Sequence, residues 1–235
     1  MCEPYMNAVS RRIGVLVIGQ TPRDDLLEVL GRFPANTNLV VRGALDGVDD
    51  VGDVAWPASA YPLTTRLRDG TSVEVSEGYL LPLLQSALDE CERESVSASV
   101  LLCAGAFEGL KSRRPLVRPF QIVRDILREL GMNTLHVIVP VDDQVGPSRE
   151  KWEDAGFVAN VVSSGRQSPS SVGEPWIDEA LLPGPQVDAV VIDYVGHPLS
   201  FRDRLARKLT VPVIDLGYLA AAVLRAQFAC ECPDT

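Results

Sequence analysis

Cys103 stands where a sequence of this kind could do chemistry. It ends the apolar run Ser99–Cys103 and is followed by Ala104, Gly105, Ala106 and Phe107. Backbone N–H groups in such a small-residue stretch can point at the sulfur or at a bound carboxylate. A nest of that kind lowers a thiol pKa and makes the thiolate a base or a nucleophile. Tyr194 follows the matching run Val187–Asp193, is protonated at neutral pH, and can donate a proton. His197 adds an imidazole with acid–base capacity near neutrality. Asp193 reads as a structural acceptor for nearby backbone N–H groups, and Cys91, inside a helical stretch, as an inert core thiol.

Anion binding has its own candidates. Arg23 follows Gly19-Gln20-Thr21-Pro22 at a helix start, where a guanidinium can hold a carboxylate bidentately. Arg66, beside Thr64 and Thr65, is a second clamp. Gln20, Thr21, Thr65, Ala104, Gly105, Ala106, Gln144, Val195 and Gly196 complete the expected substrate-binding set. The five cysteines, at 2, 91, 103, 230 and 232, and the two histidines, His136 and His197, do not group into a metal-ligand pattern, and no metal is expected.

These residues cluster because of the elements that carry them. Ile13–Ile18 is a continuous apolar run, as expected of a strand buried on both faces of a parallel sheet; Ser99–Cys103 and Val187–Asp193 read as strands of the same buried kind, and Leu135–Val139 as a strand. Leu39–Arg42, Val158–Val162 and Val211–Leu216 add further strands. Helices are expected after Thr21-Pro22, with Thr21 as cap, and at Tyr79–Arg93, Phe120–Leu130, Pro147–Asp154, Phe201–Lys208 and Tyr218–Phe228. Tyr61–Leu67 and Thr71–Val75 flank Asp69-Gly70 and predict a hairpin. In open α/β sheets ligands bind beyond the carboxyl ends of strands, which is where the candidates above fall.

The expected fold is therefore α/β: two small doubly wound domains with parallel sheets and a cleft between them. Residues 12–114 with 209–228 make the first domain and 115–208 the second; 1–11 and 229–235 are expected to fray, and 165–186 to hold a long surface loop. The 235 residues carry 22 basic and 32 acidic side chains, a net charge of −10. That charge argues against nucleic acid or an anionic membrane as partner, but a small anion feels the local field of a pocket. With no membrane-length apolar run and no hydrophobic leader at Met1–Arg12, the chain reads as cytoplasmic. A homodimer is left open.

Five strings together resemble the AroM family: Ile-Gly-Gln-Thr-Pro-Arg at 18–23, Gly-Ala-Leu-Asp-Gly at 43–47, Tyr-Pro-Leu-Thr-Thr-Arg-Leu at 61–67, Leu-Leu-Cys-Ala-Gly-Ala-Phe at 101–107 and Asp-Tyr-Val-Gly at 193–196. That family is similar to the aspartate/glutamate racemase superfamily. The resemblance implies two α/β domains, no cofactor, a small carboxylate substrate, and paired thiols across the cleft. Cys103 matches the first thiol; Tyr194 occupies the place of the second, and Ala104 replaces a polar side chain common in relatives. The implied activity is isomerisation, racemisation or decarboxylation, with Cys103 as base or nucleophile and Tyr194 as proton donor. A carboxylate-binding or regulatory protein that lost half of the pair is the alternative.

Overall fold

The protein is seen in a computed structural model that describes residues 11–33, 36–49, 62–165 and 179–228. The first sheet has the order β2-β1-β5-β6, all parallel: β1 (Arg11–Val17), β2 (Thr37–Gly43), β5 (Ala98–Leu101) and β6 (Leu116–Val117). Alternate residues of β1 face opposite layers. Leu16 meets α2 (Glu77–Arg93) through Leu84 and Leu88. Ile13, Val15 and Val17 meet Leu26 of the one-turn helix α1 (Asp24–Leu27) and Ala220, Ala221 and Leu224 of α6 (Leu216–Ala226).

The second sheet, order β10-β9-β7-β8, is also parallel: β7 (Thr134–Val139), β8 (Val158–Ser163), β9 (Ala189–Ile192) and β10 (Val213–Asp215). One face packs Val137 and Val139 against Phe120 of α3 (Pro119–Glu129) and Trp152 of α4 (Val145–Asp154). The other packs Ile138, Val190 and Ile192 against Phe201 and Leu205 of α5 (Leu199–Lys208). Burial on both faces is what made these strands unbroken apolar runs. The predicted hairpin forms from β3 (Pro62–Arg66) and β4 (Ser72–Ser76), with Gly70 at φ +89° in its turn.

The division of the chain differs from expectation at two joints. Leu116–Val117 adds to the first sheet as β6, and Val213–Asp215 pairs with β9 in the second, so the second unit reaches 215 rather than 208. Of segment 209–228, α6 is what returns to the first sheet. Strands of two or three residues carry too little pattern to reveal their sheet. Of the termini expected to fray, Arg11 belongs to β1, while 1–10 and 229–235, most of the expected loop (166–178) and Tyr61 lie outside the described residues. Among the described residues, no helix is long and apolar enough to cross a membrane.

Candidate active site

A cavity of about 480 Å³ opens where the carboxyl ends of the two sheets meet. Cys103 and Ala104 line it from the first unit, and Gln144, Tyr194, Val195, Gly196 and His197 from the second. Thr65 and Arg66 of the hairpin and Arg23 of the β1–α1 connection close one side. Apart from Thr65 and Arg66, which belong to β3, each follows a strand end, where the backbone leaves the sheet and side chains can converge. Gly19 makes the hairpin's approach feasible: a Cβ there would lie 2.4 Å from both the Arg66 carbonyl oxygen and Thr65 Oγ1. Gln144 Nε2 donates to the Pro62 carbonyl at 2.7 Å and fastens the hairpin to the second unit.

The thiol itself differs from expectation. Cys103 is 6% exposed, and burial pushes its pKa up to about 12. The Gly105 N–H donates to Sγ at 3.4 Å and, with the Lys151 charge, opposes that rise without reversing it. The rest of the expected nest is already occupied. The Phe107 N–H donates to Glu77 Oε1 at 2.8 Å, and the Ala106 N–H also bonds to this carboxyl, whose own pKa burial raises. Gly105 and Ala106 therefore do not line the cavity, contrary to expectation; their backbone positions Cys103. Cys91 is the inert thiol expected, packed in the core, with burial pushing it up to about 11.

A measurable consequence follows. A thiol near 12 holds about three orders of magnitude less thiolate at neutral pH than free cysteine. Iodoacetamide should alkylate Cys103 of the unliganded protein correspondingly slowly, with a rate still climbing through about pH 10, read by peptide mass mapping. A plateau reached below about pH 8.5 would show an activated thiolate instead.

Burial likewise raises the Tyr194 phenol. Its oxygen lies 3.4 Å from Ser164 Oγ, which opposes the rise, while the Asp215 charge adds to it. His197 packs edge-on against Tyr194, ring centroids 5.0 Å apart. Its Nδ1 lies 3.1 Å from the Pro198 carbonyl and its Nε2 lies 3.0 Å from Asp215 Oδ2. Both ring nitrogens face oxygen atoms, and the ring packs between Tyr194 and Phe201 at the cavity wall.

Three further expectations are corrected. Thr21 does not cap a helix: α1 begins at Asp24, and the Thr21 hydroxyl and N–H bond to Asp46. Gln20 donates to the Leu45 and Val48 carbonyls and accepts from the Arg68 N–H, tying loop to hairpin. Neither lines the cavity. Arg23 does, but its guanidinium already grips Asp25 at 2.9 and 2.8 Å and reaches Thr65 Oγ1 at 3.4 Å. Arg66, half-exposed, is 3.9 Å from the same carboxylate. The aspartate partners lie 25 residues away in sequence for Thr21 and two residues away for Arg23, and in neither case does spacing reveal them.

The donors to Asp193, together with Ser164 and Arg204, escape the sequence reading. Asp193 is fully buried and accepts from Ser148 Oγ at 2.6 Å, Lys151 Nζ at 2.8 Å and Trp152 Nε1 at 3.0 Å; these donors are side chains of α4, not the backbone groups expected. Lys151 also donates to the Ala104 carbonyl at 3.0 Å. The available signal was spacing: Ser148, Lys151 and Trp152 fall on one helix face. Ser164 and Arg204 also line the cleft. Among the described residues, no three His, Cys, Asp or Glu side chains group as a metal site.

A family model described as AroM protein matches residues 13–227. Comparison with curated proteins gives no match. Among solved structures, unliganded arylmalonate decarboxylase is 16% identical, with a TM-score of 0.60 over 95% of this chain and 96% of that one. Allantoin racemase from Klebsiella pneumoniae is 14% identical, with a TM-score of 0.60 over 92% and 87%. The maleate isomerase Iso from Pseudomonas putida S16 is 15% identical, with a TM-score of 0.55 over 92% of each chain. The two-sheet fold is thus shared with racemases, an isomerase and a decarboxylase.

Proposed function

We propose, from the premise that this chain belongs to the AroM protein family, that it is a cofactor-independent enzyme acting on a small carboxylic acid, and that its reaction is decarboxylation followed by protonation. One observation carries this reading: burial holds both acid groups of the cleft, Cys103 and Tyr194, in their neutral forms. Racemisation by two groups needs one of them to enter as a base. Addition of Cys103 to a double bond needs a thiolate. Decarboxylation needs neither. A C–C bond breaks, CO2 leaves, its bonding electrons remain as an enediolate, and a neutral donor gives the carbon a proton. Arylmalonate decarboxylase shares this fold, as do a racemase and an isomerase, so the protonation states and not the fold make the choice.

Cys103 is the donor to carbon, because the Gly105 N–H and the Lys151 charge both favour the thiolate left behind. Tyr194 keeps its proton beside the Asp215 charge and donates a hydrogen bond to the developing oxyanion. The retained carboxylate lies against Thr65, Arg23 and Arg66. Arg23 is shared with Asp25, which tempers the anion clamp expected from its sequence position.

The test is a panel of substituted malonates assayed for CO2 release in D2O, with one deuterium expected at the new C–H bond. Exchange of the substrate α-proton without CO2 release would replace this reading with racemisation. Saturable binding with neither outcome would make the chain a carboxylate-binding protein. Tyr194→Phe should lower kcat by about two to three orders of magnitude and leave KM nearly unchanged. A fully active variant would remove Tyr194 from the reaction.

A further inference from the structure

We propose that Lys151 is a positioning residue that sets the separation between Cys103 and Tyr194; the inference rests on the reading of those two as the reacting pair. Lys151 belongs to α4 of the second unit, yet its ammonium donates to the carbonyl of Ala104 in the first unit, the residue after Cys103, at 3.0 Å. The same nitrogen donates to Oδ1 of Asp193, the residue before Tyr194, at 2.8 Å. One cation thus holds both strand-end loops across the cleft.

The geometry makes this a rigid tie. The Lys151 side chain is 9% exposed, and its ammonium lies 4.8 Å from the centre of the Phe120 ring, so packing and the aromatic face fix the stem. Asp193 cannot follow a displaced lysine, because Ser148 and Trp152 hold its other oxygen. Both lysine bonds are charge-assisted in a water-poor setting, where such bonds are strongest. Lys151 is not among the residues lining the cavity, whereas Ala104 and Asp193 are. It therefore acts through the loops it ties and not by touching substrate.

The experiment measures the gap directly, without a substrate. In a Tyr194→Cys protein, dibromobimane can bridge the new thiol to Cys103 and fluoresces on doing so; the joined peptides are identified by mass. Adding Lys151→Met should cut the bridging yield at least about tenfold, since about 1 Å of misplacement has large effects on such reactions. Lys151→Arg, which keeps the charge, should restore most of it. Should Lys151→Met fail to fold, Lys151→Met with Asp193→Asn removes both charges together and should show the same loss. Bridging within about twofold of the parent in either folded variant overturns the proposal and leaves the reacting pair intact. No bridging with Lys151 in place, at a pH where iodoacetamide alkylates Cys103, would overturn both this proposal and the facing pair.

Discussion

Replacing Cys103 with alanine is expected to lower turnover by about two to four orders of magnitude, the loss typical of a missing proton donor. Burial keeps this thiol protonated and ready to donate, and the Gly105 N–H and the Lys151 charge partly stabilise the thiolate it leaves. Cys103→Ser should fare no better, since an alcohol is a weaker acid and its shorter bond withdraws the proton from the cleft. Folding should survive both changes: removing one small buried group costs roughly 1 kcal/mol. The pH profile gives an independent reading. A donor whose pKa lies at about 12 stays neutral across the working range, so kcat/KM should not rise between about pH 7 and pH 9. A thiolate base would make it climb over that interval. Full activity in Cys103→Ala would reduce Cys103 to a packing residue.

Lys151→Met is expected to cost about 3–5 kcal/mol of stability, a large share of what a domain of ordinary stability possesses. The Asp193 side chain is 0% exposed, and without the ammonium its carboxylate is left in the interior with only two neutral donors, Ser148 and Trp152. Removing one partner of a buried pair is costlier than removing both. The double change Lys151→Met, Asp193→Asn should accordingly recover most of the loss, since an amide oxygen can still accept from Ser148 and Trp152. Urea unfolding of the three proteins measures this. A loss below about 1 kcal/mol in the single variant would show that Asp193 is stabilised without its cation.

The architecture was legible because parallel strands buried on both faces are continuous apolar runs, and because Asp69-Gly70 announces its turn. The location of the cleft was legible too, since unusual residues at several strand ends imply one crevice. What failed was allegiance and partnership. Val213–Asp215 joins the second sheet and Leu116–Val117 the first, through pairing with strands distant in sequence. The N–H groups after Cys103 looked available for substrate, but Glu77 takes two of them from thirty residues upstream. Thr21 looked like a cap until Asp46 was seen to accept from it. The rise of the thiol pKa has a related origin. A small-residue loop shows its donors in sequence, but not the apolar side chains that fold over it.

The chain passes between the two sheets twice, once between β6 and α3 and again between β10 and α6. The helices that leave these two crossings, α3 and α6, pack on each other. Two neighbouring attachment points define an axis, and a body held at both can rotate about the line joining them but resists sliding or twisting away from it. Rotation about the α3–α6 seam is the relative movement these two connections oppose least, and the Lys151 tie and the Gln144–Pro62 bond, which span the cleft, are what act against it.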